Sequence, residues 1–430
     1  MLLSVEKLVY GGDGLARLPA DEQGRGKAVF LPFVLPGEKV EATLLEQKPG
    51  FARARADTVV EASRHRVQPQ CRYFGECGGC HYQHASYPHQ LEIKAAILKE
   101  NLRRIAKLDL ATELIVHPSP PWNYRNRTRV KVQSKPEFAL GYYKLNSHQL
   151  LPVRECPISS PIINQAIAGL WQLEPATADG IQEVEFFANA EDTELLLEVE
   201  CASGISAQAA RQIAERIKEI LPGIVGVTVR MANQRQHGHP EPSNAVTVGA
   251  TELTYRTRHL PYRVSAGAFF QVNRFLVDEL IDLVVEGAEG ELALDLYAGV
   301  GLFSTALSRS FAQVIAVESS QTSYGDLLYN APSQVKAVRS TTEQFLKAAA
   351  GPMRPQLVVA DPPRGGLGED VVRTLAGLRA DRINYVSCDP ATLSRDLPGL
   401  LQAGYHIRHA HLVDLFPQTY HVESVFHLVR

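Results

Sequence analysis

Leu292-Ala293-Leu294-Asp295-Leu296-Tyr297-Ala298-Gly299-Val300-Gly301 is the stretch that sets the fold of this 430-residue chain. Its apolar run reads as a buried strand, Ala298 to Gly301 as a glycine turn, and the residues from Leu302 as a helix. The next strand, 313–318, ends on Glu318, 23 residues after Asp295. Strand, Gly-x-Gly, helix and a second strand with a terminal acid follow nucleotide-binding βαβ logic. Gly299 and Gly301 let an adenosyl ligand approach the backbone, and Glu318 can accept both ribose hydroxyls. Ser304 falls where a dinucleotide fingerprint has its third glycine, which argues against a dinucleotide.

Further along, the strand-like 356–361 runs into Asp361-Pro362-Pro363-Arg364-Gly365-Gly366. The apolar 382–386 leads into Ser387-Cys388-Asp389-Pro390. Proline suits the first turn of a helix, so the second junction is strand, turn, helix. In an open α/β sheet such a turn is where ligands bind. A thiol there, beside a helix N-terminus, is placed for thiolate chemistry. The chain closes on His421-Val422-Glu423 and a strand over 424–429.

Residues 1–62 are short strands broken by glycine turns (Gly11-Gly12-Asp13-Gly14 and Leu35-Pro36-Gly37), the pattern of a small β-barrel. Arg53, Arg55, Arg64, Arg66 and Arg72 crowd its end, a plausible grip for RNA. Residues 1–135 carry 21 Lys and Arg against 14 Asp and Glu, whereas the remainder carries 23 against 33. A basic front suits a polyanionic partner. Next, CRYFGECGGC supplies Cys71, Cys77 and Cys80, and Cys156 adds a thiol from farther along. Tetrathiolate sites hold zinc or an iron–sulfur cluster, and spacing alone does not choose.

From Tyr87 the pattern is helical, with Leu91, Ala95, Leu98, Leu102 and Ile105 forming the expected core stripe. Behind Trp122 and Tyr124, strand-period alternation puts Arg125, Arg127, Arg129 and Lys131 on one face, a candidate grip for phosphates. Strands at 195–199 and 225–229, a helix at 206–221 and a polar loop from Ala232 to Asn244 complete the middle of the chain. The expected architecture is α/β in three parts. These are a small barrel (1–62), a central α+β domain (63–260) onto whose catalytic neighbour the 87–109 helix packs, and a Rossmann-like domain (261–430). No apolar run is long enough for a membrane span, and a cytoplasmic monomer is expected.

These motifs together resemble the RNA 5-methyluridine methyltransferase family. FFQVN (Phe269 to Asn273), DLYAGVGLF, VVADPPRGG, SCDPATLSRD and HVES match it in order, and the front end resembles its OB-like TRAM domain. The resemblance implies S-adenosylmethionine as methyl donor and a single-stranded or flipped uridine in tRNA or rRNA as acceptor. It assigns Cys388 as nucleophile and Glu423 as base, with Gln271, Tyr297, Glu318 and Asp361 lining the cofactor site beside the two glycines. Cys71, Cys77, Cys80 and Cys156 match its [4Fe-4S] ligands, in preference to zinc. Leu302 stands where some members carry Asn, and Thr341 where an acid commonly faces the adenine. The alternative is therefore an RNA-binding protein with a degenerate, non-catalytic methyltransferase domain.

Overall fold

The computed structural model describes residues 1–19, 26–221, 223–231, 245–348 and 353–430. The polar loop read at Ala232 to Asn244 lies outside these. Among the described residues no helix is long and apolar enough to cross a membrane.

The front of the chain is a six-stranded sheet, of which Lys39–Gln47 and Phe51–Glu61 are the long strands. It encloses its own core of Leu3, Val29, Leu31, Val40 and Ala52. The middle is a seven-stranded sheet in which Leu195–Cys201 and Ile224–Met231 run parallel, joined by the helix Ala207–Ile220. That helix is capped by Ser206, whose hydroxyl accepts from the Ala209 amide.

The last third builds an eight-stranded sheet. Its first five strands, Val335–Arg339, Phe311–Glu318, Gly290–Leu296, Leu357–Ala360 and Arg382–Ser387, are all parallel. The inner ones are buried along most of their length, Leu357–Ala360 throughout, because helices cover both faces. Glu423–Val429 then inserts antiparallel between Arg382–Ser387 and His406–Val413. The far edge is Leu114–His117, a strand from the span assigned by sequence to the middle unit.

The helix Tyr87–Asn101 ends in a single π-helical turn, Leu102–Ala106, and this unit lies against the helix Pro390–Gln402. Its buried face keeps Leu98 and Leu102 of the expected stripe, with Ala95 packed alongside, but is otherwise rotated from it. Gln90, Ile93, Lys94, Ile97, Leu98 and Leu102 point inward, while Ile105 is exposed. The polar members have partners in the loop before the closing strand. Lys94 Nζ donates to Asp414 Oδ1 at 2.6 Å and to the Phe416 carbonyl at 2.8 Å, and Gln90 accepts from the Gln418 amide at 3.0 Å.

The basic face read as a phosphate grip is also different. In the strand Arg127–Gln133, Arg127 and Arg129 meet Glu185 of the neighbouring strand, and Arg129 and Lys131 meet Glu183. Register opposes Arg129 to Glu185 and Lys131 to Glu183, so cross-strand charge pairing takes up this face. Arg125 precedes the strand and turns toward the cysteine loop instead.

Candidate active site

Strand register brings the distant motifs into one row. Leu296 lies opposite Val317 on one side and Ala360 on the other, Ala360 opposite Tyr385, and Ser387 opposite Ser424. Glu318, Tyr297, Asp361, Cys388 and Glu423 therefore stand at one end of five adjacent strands. At about 4.8 Å per strand the row spans roughly 19 Å. Because the closing strand is antiparallel, its first residue, Glu423, arrives beside a thiol that follows the last residue of its neighbour.

Gln271 joins the row from outside the sheet. Its Nε2 donates to Asp361 Oδ2 at 3.4 Å. The loop is held by Asn273, fully buried, whose Nδ2 donates to Ser119 Oγ at 2.9 Å and to the Leu415 carbonyl at 3.1 Å.

The turn after the first strand is built for close approach. Tyr297 takes a left-handed φ of 66°, a conformation that a bulky residue holds only under constraint. Gly299 (φ 56°) has no atom within 4 Å of where a Cβ would sit, leaving open space over the backbone. A Cβ on Gly301 (φ 93°) would fall 2.8 Å from Leu327, so glycine is required there for packing as well. Glu318 is fixed at the strand end: its two carboxylate oxygens accept from the Gly299 amide at 2.8 Å and the Ser320 amide at 2.6 Å.

Electrostatics divide the row. Burial, then the carboxylates of Glu423 and Asp361, pushes the Cys388 thiol up to about 12, with Arg364 opposing. The sequence reading expected the following helix to favour the thiolate. Instead the amides of Ala391 and Thr392 both donate to Asp389 Oδ1 at 2.9 Å, so the N-cap carboxylate takes the donors of that terminus. Burial, with Asp295 adding, raises Asp361 to about 7. Burial raises Asp295 itself to about 7, against a hydrogen bond from Ser304. Glu423 is held well above the carboxylate range by burial and by Asp361. A thiol thus faces carboxyl groups poised to take or hold a proton near neutrality. Asp295 and Arg364 were missed as site residues: one looked like a strand interior, the other like part of a turn.

Cys71, Cys77, Cys80 and Cys156 line a second, separate cavity with Phe74 and Arg125, and all four are free thiols. Among the described residues no three of these sulfurs lie within 4.8 Å of one another. Elsewhere Glu286, His411 and His427 offer ligand atoms within 4.8 Å, but the Arg382 guanidinium donates to His427 Nδ1 at 3.1 Å and occupies that place.

Comparison with known proteins decides the family. A model of tRNA (uracil-5-)-methyltransferases matches residues 86–430. The chain belongs to the tRNA (uracil-5-)-methyltransferase family. A TRAM domain model matches residues 1–56 of this family member. Proteins described as uncharacterised RNA methyltransferases from Aquifex aeolicus and Caldanaerobacter subterraneus are 33% and 30% identical to it. Both alignments cover 98% of this chain, and 97% and 96% of those relatives. Its fold matches a Pyrococcus abyssi tRNA (uracil-54, C5)-methyltransferase solved with S-adenosyl-L-homocysteine, at 22% identity, full coverage of both chains and a TM-score of 0.75.

Proposed function

We propose that this methyltransferase modifies C5 of one uridine in RNA through a covalent bond between Cys388 Sγ and C6 of the base. The observation that carries this reading is the 387–424 register, which sets the thiol and the Glu423 carboxylate side by side at the end of the row.

C5 of uracil is too weak a nucleophile to accept a methyl group unaided. Loss of the Cys388 proton and attack of its sulfur on C6 makes C5 enolate-like. Arg364 is the cation that opposes the upward shift of the thiol, and Asp361, at about 7, is matched to receive a proton near neutral pH. S-adenosylmethionine, lying along the Glu318–Tyr297 end, would supply the methyl group as an electrophile. The residues fit an adenosyl ligand: open space over Gly299 admits it, and Glu318 is fixed where ribose hydroxyls would reach. Once C5 is methylated, Glu423 takes the C5 proton in its ionised form, having released its own proton to solvent; the environment that raises it also makes that carboxylate the stronger base. The C6–S bond then breaks, returning its electron pair to Cys388.

RNA would approach across a cavity of about 840 Å³ beside Tyr420 and His421, lined also by Arg53, His81, Arg125, Lys144 and the ring of Tyr10. Cations with interleaved aromatics suit a single strand and a flipped base. For the four cysteines we propose a [4Fe-4S] cluster over zinc. Four thiols that line one cavity beside the Arg125 guanidinium are a donor set such a cluster takes.

Anaerobically purified protein, incubated with S-adenosylmethionine and unmodified tRNA or ribosomal RNA, should yield 5-methyluridine in the digested nucleosides. Cys388→Ala should yield none, and the RNA that responds names the substrate. RNA retention with no product on either RNA would favour the non-catalytic reading.

A further inference from the structure

The TRAM portion reaches into the reaction site. The turn Tyr10-Gly11-Gly12-Asp13 leaves the barrel between Lys7–Leu8 and Gly14–Arg17 and is closed by the Val9 amide on the Asp13 carbonyl at 2.9 Å. Both glycines have left-handed φ (110° and 97°), and a Cβ on Gly12 would meet the His81 side chain at 3.0 Å. The turn is thus shaped to seat against the cysteine loop. Leu8 and Leu35 of the barrel join Tyr82, Ile93 and Ile97 in one apolar cluster, against which Tyr10 and Tyr420 pack. Lys7 pairs with Glu100 alongside. This docking is a packed core, not a tether.

Its result is that Tyr10 lies against the nucleophile. The phenol donates to the Cys388 carbonyl at 3.4 Å. The ring meets Tyr420 edge-on at 5.4 Å, three residues before Glu423, and Tyr420 in turn meets His81 at 4.6 Å. One side chain from the barrel therefore touches both the peptide that carries the thiol and the segment that carries the proposed base.

We propose that Tyr10 is a positioning residue, holding the Cys388 peptide so that the thiol points along the row toward the target base. The barrel then completes the reaction site as well as gripping RNA. The inference rests on the proposed role of Cys388 as nucleophile. Burial and the adjacent Asp389 carboxylate push the phenol upward, so it stays a donor at working pH.

The test compares wild type with Tyr10→Phe, which keeps the ring and removes the donor, on cluster-loaded full-length protein. Two rates are measured: alkylation of Cys388 by iodoacetamide without RNA, read by mass spectrometry, and methylation turnover on an RNA the wild type modifies. A freed peptide should let Cys388 react about threefold faster with the small reagent. The misaimed thiol should turn over about tenfold more slowly, with KM for RNA within about twofold. Unchanged alkylation and unchanged turnover would overturn the inference. So would changes matched by a fall in melting temperature as large as that of Tyr10→Ala, which would make the role merely structural. If wild type methylates nothing yet alkylation still quickens in Tyr10→Phe, the positioning holds and the reading of the reaction fails.

Discussion

Two groups of buried carboxylates in this molecule are treated in opposite ways. In the central sheet Glu183 and Glu185 are nearly inaccessible, and Arg127, Arg129 and Lys131 meet them across the register. Near one end of the strands of the catalytic sheet, Asp295 and Glu423 are buried and Asp361 is partly so, and the charged neighbours that shift them most are other carboxylates. Matched charge sustains a fold, and breaking it leaves an orphan in a dry interior. Unmatched charge costs stability and is kept where protons must move. The same residue type therefore means different things in the two sheets, and its nearest counter-charge tells which.

The largest expected effect sets the two against each other. Glu423→Gln should lower methylation by about a thousandfold and leave urea stability equal to or above wild type. Glu185→Gln should do the reverse, costing about 3–5 kcal/mol of stability with turnover little changed. Equal destabilisation by both would break the comparison.

Next in size is a pH effect. Asp295 and Asp361 hold their protons to about pH 7 in the folded chain, whereas the unfolded chain releases them at about pH 4. Folded pKa values are thus raised, so the unfavourable contribution is absent below about pH 4, grows as pH rises toward about 7 and is complete above it. Asp361→Asn should flatten the fall in melting temperature over that window, and a slope identical to wild type would contradict the assignment.

A third measurement extends the rule to a cation. Arg125 Nε is buried without a partner beside the four cysteines. If thiolates of a bound cluster supply its counter-charge, stripping the cluster should lower the melting temperature by several degrees. Arg125→Met should recover part of that loss; no recovery would leave the guanidinium without this role. The smallest effect belongs to the barrel's exposed arginines. Arg55→Ala should change stability by less than about 0.5 kcal/mol and weaken RNA retention only modestly, with a shallower salt dependence.

How much of this was legible in sequence follows the same division. Leu292 to Glu318 could be read because each step of a βαβ unit is local, and the row from Glu318 to Glu423 could be read because each motif ends a strand. The pairing of Arg129 with Glu185 could not, since the partner lies 56 residues away and a basic strand looks alike facing acid or water. The stripe from Leu91 to Ile105 held at Leu98 and Leu102 but missed the inward turn of Gln90 and Lys94, which are buried for partners more than 300 residues off. The helix terminus behind Cys388 was visible, but that Asp389 would take its amides was overlooked, although an Asp before Pro-Ala-Thr is itself a cap signal. Nothing in the sequence told that Tyr10 would meet a residue 378 positions away.

The closing strand has a consequence for how the protein comes into being. Glu423–Val429 is not an appendage at the sheet's rim but an interior rung, bonded on both sides. As a nascent chain emerges, the strands that end at Glu318 and Tyr297 can form before the rung that begins at Glu423. A stop codon ahead of Glu423 should therefore remove the proposed base and, with it, the antiparallel neighbour that Arg382–Ser387 and His406–Val413 share.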